Sequence, residues 1–138
     1  MKYFYFLVFT LILSTSSLVA QKKSSDNDTK LIINLLIDAN QNIMVENKRV
    51  SFEEVSREVR KIIYAAPAFK YNGVEYRVFG DVSLNLGVII DVEDEMFKAY
   101  NDESTSRKRY LLNIQKSKLD NPNWTSKIQN LDLKAVEL

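Results

Sequence analysis

Residues Val74–Tyr100 constrain the fold most, because they encode a strand that is followed almost at once by a helix. The first part has apolar residues at alternate positions, which predicts a half-buried strand: Val74, Tyr76 and Val78. After a turn at residues 80–83, apolar residues recur at helical spacing: Val88 or Ile89, Val92, Met96, and Ala99 or Tyr100. A strand that feeds a helix through a short turn is half of a two-layer α/β unit.

Two further elements precede this unit. Leu31–Ile37 is an apolar run with β-branched residues, and turn formers at 38–42 separate it from a return strand at 43–46. This pattern predicts a β-hairpin whose first strand, apolar on both faces, lies inside the sheet. Residues 51–66 predict an amphipathic helix, with a capping box formed by Ser51 and Glu54 and an end at Pro67.

The remaining residues give a weaker pattern. Residues 101–109 are polar and fit either a loop or a continuation of the preceding helix. Tyr110, Leu111 and Ile114 predict a short helix, and the alternation at residues 131–136 predicts a closing edge strand. Trp124 is interpreted as a packing residue.

Together these elements predict an α+β fold, a two-layer sandwich. A small mixed β-sheet, built from the hairpin plus one or two further strands, is expected to be covered on one face by two helices. The 138 residues fit one domain, which we assign to residues 31–138, with a core at 31–100 and a C-terminal extension at 101–138.

The amino terminus has the pattern of a secretory signal peptide. Lys2 is followed by an apolar run and then by small residues that end at Ala20, which predicts cleavage after Ala20. The alternative is an uncleaved membrane anchor, because Tyr3–Ala20 reaches the lower length limit of a spanning helix, about 17 residues. Residues 21–30 are polar and aperiodic, and we interpret them as a flexible linker. Both alternatives place the rest of the chain outside the cytoplasm.

Composition excludes several functions. The chain has no Cys and no His, which removes thiolate nucleophiles, Ser–His pairs and the usual zinc sites. Its 19 basic and 18 acidic residues give no basic excess for nucleic acid. We therefore predict a non-enzymatic domain without cofactor or metal.

One dense acidic cluster lies on the predicted second helix: Asp91, Glu93, Asp94 and Glu95. We interpret it as the exposed face of that helix, because nothing in the pattern buries these side chains. The alternative is a carboxylate-dependent extracytoplasmic hydrolase that uses Asp91, Asp94 and Glu95.

Two blocks of the chain carry a family resemblance. INLLIDANQNIMVENKRVSFEEVSREVRKII (33–63) and YRVFGDVSLNLGVIIDVEDEMFKAY (76–100) resemble the periplasmic domain of the ExbD/TolR biopolymer-transport family. The matching positions are Asp38 at the end of a strand, Ser51 at a helix start, and Asp81 followed by Gly87 before the last shared helix. The AYND sequence at 99–102, with a long polar tail behind it, looks like the extended Bacteroidetes-type members.

The resemblance implies a homodimeric domain in the periplasm of a Gram-negative bacterium. It would bind an extended segment of another envelope protein, or the cell wall, and strand addition to a sheet edge is the physical route to such binding. Asp81, Asn85 and Gly87 are the candidate partner-binding or turn residues, with Gly87 expected to let the helix start pack closely on a strand. The alternative that the resemblance implies is a membrane-anchored ExbD-like transporter subunit with an uncleaved N-terminal helix. Family members carry an Asp in that helix, whereas Tyr3–Ala20 has no acidic residue, so no proton-conducting role is expected.

Overall fold

The computed structural model describes residues 29–67 and 69–134. The predicted signal peptide, and residues 21–28 of the predicted linker, lie outside this part. The described elements follow in chain order: β1 (Leu31–Ile37), β2 (Ile43–Val45), β3 (Lys48–Val50), α1 (Val55–Ala65), β4 (Val74–Asp81), α2 (Leu86–Ala99), β5 (Ser106–Leu112) and α3 (Trp124–Ile128). No helix within the described residues is long and apolar enough to cross a bilayer.

The strands form one mixed five-stranded sheet in the order β3-β2-β1-β4-β5. β1 lies in the centre, antiparallel to β2 and parallel to β4, so that Leu35 stands opposite Val45 on one side and Val78 on the other. β4 in turn pairs in parallel with β5. The α+β two-layer sandwich is therefore confirmed, although the predicted hairpin is extended by a third strand, β3.

The main core lies between one face of the sheet and the two longer helices. Every second residue of β1 and β4 points to this face and meets the apolar stripes of α1 and α2. Its fully buried members include Ile33, Leu35, Ile37, Val55, Val59, Tyr76, Val78 and Met96. Because residues of β1, β2, β3 and β4 all pack in this core against the two helices, the core fixes how α2 lies over the sheet.

α1 begins after a single 3-10 turn, Phe52–Glu54. The Glu54 carboxylate accepts a hydrogen bond from the Ser51 N–H at 3.1 Å, which is the return half of a capping box. Phe52 lies at helical spacing from Val55 and Val59 in the sequence, but it is 39% exposed, because the tighter turn rotates it off the face of the α-helix. The α-helix ends at Ala65, ahead of Pro67.

The opposite face of the sheet carries a second, smaller core. After β5 the chain crosses beneath the sheet and brings α3 against β1, β2 and β4. Trp124 is fully buried there, with its ring edge-on to Phe79 at 5.3 Å between centroids, and Phe79 stacks on Tyr110 at 4.8 Å. The remaining members are Leu36, Met44, Ile114, Leu119 and Ile128.

Two predictions for the carboxyl-terminal part are wrong. Residues 106–112 form a strand rather than a loop and a short helix. Arg107 and Arg109 occupy the helix-facing positions of this strand, which breaks the apolar alternation that marks a strand. Residues 131–134 form no strand, and Leu133 packs against the second core instead; residues 135–136 lie outside the described part.

Candidate functional site

Asp81, the first of the predicted site residues, is the last residue of β4 and is only 5% exposed. Its Oδ1 accepts hydrogen bonds from the Ser83 N–H at 2.9 Å and the Ser83 hydroxyl at 2.6 Å. Its Oδ2 accepts one from the Ile114 N–H at 2.9 Å. Burial opposes ionisation of this carboxyl, but these hydrogen bonds outweigh it and hold the pKa of Asp81 below its usual range. Asp81 thus joins the turn before α2 to the segment after β5.

Replacing Asp81 with Asn is expected to lower the free energy of unfolding by about 1.5–3 kcal/mol at pH 7, the usual value of hydrogen bonds to a charged group. An amide has only one accepting oxygen, so its NH₂ group must face either the Ser83 or the Ile114 N–H. Urea unfolding followed by the fluorescence of the buried Trp124 measures the change. Asp91→Asn is the control, because Asp91 is exposed on α2.

The stabilisation that the Asp81 carboxylate provides is expected to be lost at low pH. Because the pKa of Asp81 is lower in the folded state than in the unfolded chain, where it is about 3.9, its stabilisation is complete above that value. It is lost as the pH falls through the folded-state pKa. The gap between the wild type and Asp81→Asn should therefore narrow below about pH 4. A gap that stays constant down to pH 2 would show that the carboxylate charge does not contribute.

Asn85 and Gly87, the other two predicted residues, lie at the start of α2. Asn85 is the N-cap, and its Oδ1 accepts a hydrogen bond from the Gly87 N–H at 2.8 Å. Gly87 is exposed, and a Cβ placed there would meet only the Asn85 Oδ1, at 3.3 Å. The close approach of α2 to the sheet occurs instead at Gly80, where an added Cβ would come within 2.5 Å of the Ile89 Cδ1.

A polar hollow of about 200 Å³ lies at the carboxyl ends of β1 and β4, beside Asp81. Asp38 and Asp120 also line it. The Asp38 carboxylate already accepts hydrogen bonds from the backbone N–H groups of Asn40 and Asn42 and from the Asn42 side chain. The described residues contain no group of acidic side chains arranged to hold a metal ion. The carboxylates of Asp38 and Asp81 thus stabilise the turns that form this hollow.

The prediction that the acidic cluster of α2 is wholly exposed is wrong for Glu93. Glu93 is 1% exposed and faces β5, where it accepts hydrogen bonds from the Arg109 Nε at 2.6 Å and from the Arg109 Nη2. Arg107 approaches the same carboxylate at 3.4 Å. The bond to Glu93 raises the pKa of Arg109 further, against the effect of its burial. This bidentate ion pair between Glu93 and Arg109 holds α2 on the edge strand β5.

The other three acids, which define the hydrolase alternative, do not converge on one cavity. Asp91 lines a cleft of about 400 Å³ between the β1–β2 turn, the start of α1 and α2, whereas Asp94 and Glu95 do not line it. Asp94 is exposed, and Glu95 pairs with Lys98 one turn along the helix. The floor of the cleft is apolar, formed by Ile37, Ile43, Val50, Val88 and Val92.

The outer edge of β5 offers unpaired main-chain groups. The Leu112 carbonyl accepts a hydrogen bond from the Val82 N–H at 2.9 Å, so Leu112 faces β4. Because N–H and C=O groups alternate in direction along a strand, those of Arg107, Arg109 and Leu111 face away from β4. Among the described residues no strand pairs with this edge, which makes it a template for an added strand.

The charged side chains around this edge all have partners, although four cations share two carboxylates and leave a net positive charge. Lys108 pairs with Glu75 at 3.0 Å, and both arginines of β5 pair with Glu93. Arg107 also lies over the Phe97 ring, 5.7 Å from its centroid. These contacts place the face of α2 that carries Glu93 and Phe97 beside β5. Leu86 and Ile90, seven and three residues before Glu93, lie on the same face. The two are 38% and 37% exposed, so the open edge is flanked by apolar surface.

The sequence interpretation missed this edge because it missed β5. The one available signal was the placement of Arg107 and Arg109 two residues apart, with Glu93 on the preceding helix. Comparisons of the chain with protein-family models, curated proteins and solved structures returned no significant match. The resemblance to the ExbD/TolR family therefore rests on the two sequence blocks alone.

Proposed function

We propose that this chain is an exported, non-enzymatic envelope domain, similar to the periplasmic domains of the ExbD/TolR family, that binds protein partners in a biopolymer-transport or energy-transduction system. The observation that carries the proposal is the open edge of β5. An extended segment of an envelope protein adds to this edge as a sixth strand, through the outward N–H and C=O groups of Arg107, Arg109 and Leu111.

The surroundings of the edge favour this mode of binding. The ladder to β4 spans all seven residues of β5, so the strand is held straight enough to offer main-chain groups at regular spacing. Apolar side chains of an added strand would meet Leu86 and Ile90 on α2. Without a partner, the same edge pairs with a second copy of the chain, which accounts for the homodimer that the family resemblance implies.

Arg107→Pro is expected to weaken self-association strongly while leaving the fold intact. Proline removes an outward-facing N–H and none of the hydrogen bonds between β5 and β4, which is the position where a sheet tolerates it. Residues 21–138, the product of the predicted cleavage, should sediment as a dimer at micromolar concentration. The proline variant should dimerise at least tenfold more weakly.

Arg107→Ala is the matched control, because it removes the same side chain and keeps the N–H; it should still dimerise. A photoreactive residue at position 107 should also cross-link to an envelope protein, whereas the same residue at exposed Glu53 should not. The proposal fails if the proline and alanine variants dimerise equally. It also fails if the wild type is monomeric and position 107 cross-links to nothing.

A further inference from the structure

An aromatic cluster projects from one pole of the domain, far from the β1–β2 turn. Tyr64, near the end of α1, is 81% exposed, and Phe69 is 100% exposed. Phe69 also has a φ of 67°, a left-handed conformation that is unfavourable for a bulky residue. These two rings lie largely in water, whereas Tyr76, Phe79, Tyr110 and Trp124 are buried, and such exposure indicates a surface that is covered in use.

The same pole contains an apolar hollow of about 170 Å³. The amino-terminal residues of β1 and β4, Leu31 and Val74, line it, and so does the half-exposed Tyr100 at the end of α2. The remaining lining residues are Ile63, Ala66, Pro67, Phe69, Tyr71 and Gly73. The tyrosines present an apolar ring and a polar hydroxyl, the combination that suits the interfacial zone of a bilayer.

The chain enters the domain at this pole. Two backbone hydrogen bonds fix the entry: Asn72 N–H to the Thr29 carbonyl at 3.2 Å and Leu31 N–H to the Gly73 carbonyl at 2.8 Å. The apolar run of the sequence ends at Ala20. Nine residue steps separate Ala20 from Thr29, so the two lie at most roughly 30 Å apart even in a fully extended chain. If Tyr3–Ala20 is kept as a membrane anchor, the alternative to cleavage, this short tether holds the pole, rather than the opposite end of the domain, next to the bilayer.

We propose that the aromatic pole, defined as Tyr64, Phe69, Tyr71 and Tyr100, rests on the surface of the lipid bilayer. Phe69 and Tyr64 enter the interfacial zone and seat the domain with β1 and β4 pointing away from the membrane. This contact uses a surface different from the β5 edge, so it does not depend on strand addition there.

Insertion of rings, rather than charge, is expected to dominate this contact. Lys61 and Lys70 are exposed at the pole, but the Asp102 carboxylate, hydrogen-bonded to the Tyr100 hydroxyl, lies there as well. Lys61 already pairs with Glu58 at 3.4 Å, so Lys70 and Asp102 bring one charge of each sign to this set. The contact should therefore survive about 0.5 M salt, where the screening length falls to a few ångströms.

The absence of cysteine from the chain permits single-site labelling of the full-length protein. Ala65 and Ala39 are both exposed, the first beside Tyr64 and the second in the β1–β2 turn at the other end of the sheet. Each is changed to Cys and labelled with an environment-sensitive fluorophore, and the protein is reconstituted in vesicles of phosphatidylethanolamine and phosphatidylglycerol. Lipids that carry a spin label near the headgroup should quench the label at 65 at least threefold more than the label at 39.

Tyr64→Ser combined with Phe69→Ser should lower quenching at 65 at least twofold, because the tether keeps the pole near the bilayer but no longer inserts it. The emission of the buried Trp124 shows that the variant is folded. Equal quenching at the two positions, or no response to the double substitution, would overturn the proposal. A blue-shifted label at 65 that lipids do not quench would overturn it too, since it would mean that protein covers the pole.

Discussion

Glu93→Gln is expected to lower the free energy of unfolding by about 3–5 kcal/mol, the cost of removing one partner from a buried ion pair. Glu93 is 1% exposed and Arg109 8% exposed. The neutral amide would leave the Arg109 guanidinium buried without a counter-charge, and Arg107 would lose its partner as well. A domain of this size is stable by only about 5–15 kcal/mol, so the variant should be close to unfolding at 37 °C.

Asp94→Asn is the matched control, because it makes the same charge change one residue away at an exposed position. It should change the stability by less than about 0.5 kcal/mol. The double variant Glu93→Leu with Arg109→Met should recover most of the loss, since apolar residues of similar size replace a buried pair at little cost. Urea unfolding followed by Trp124 fluorescence distinguishes the three. If Glu93→Gln behaves like Asp94→Asn, the pair does not hold α2 on β5.

The elements that could be predicted from the sequence are those whose signal is local. Leu31–Ile37 and Val74–Asp81 carry apolar or alternating runs, and α1 and α2 carry apolar stripes with helical spacing. Pro67 set the end of α1 within two residues. In each case the residues that decide the structure lie within one or two turns of each other, so no knowledge of the tertiary fold was needed.

β5 could not be predicted from the sequence, because the charged residues at its helix-facing positions are explained only by their contact with α2. A strand that covers a helical face normally turns apolar residues inward, but Arg107 and Arg109 occupy these positions here. They are stable there only because Glu93 lies opposite, 16 residues earlier than Arg109 in the chain. In the sequence alone, Glu93 fits the pattern of an exposed acidic residue, and Arg107 and Arg109 fit the pattern of a solvated loop.

The candidate site shows the same division. The turn from Asp81 to Ser83 is local and was expected from its composition. The other oxygen of Asp81 bonds Ile114, 33 residues further along the chain, and this contact follows from the path of the C-terminal segment under the sheet. The exposed state of Gly87 and the tight contact at Gly80 likewise depend on where α2 lies over β4, which the spacing of glycines does not reveal.

Trp124→Ala is expected to cost about 3–5 kcal/mol, the usual value for truncating a large buried aromatic side chain. The ring is fully buried against Phe79, and its Nε1–H donates to the Glu46 carbonyl. The loss of structure should at first be confined to one face of the sheet, because the two cores lie on opposite faces. Residues 113–134 should detach and leave Leu36, Met44 and Phe79 exposed, while α1 and α2 stay packed on the other face.

Hydrogen exchange followed by mass spectrometry tests this order of events, together with urea unfolding followed by circular dichroism. Amides of residues 113–134 should lose protection first in Trp124→Ala, and those of α1 should keep it. Leu131→Ala, at a residue that is 37% exposed in the same segment, is the control and should change the stability by less than about 0.5 kcal/mol. Uniform loss of protection in both layers would mean that the second core is required for the sheet itself. In that case residues 113–134 are an integral part of the fold, because the helix-covered face is then not sufficient to hold β4 and β5 together.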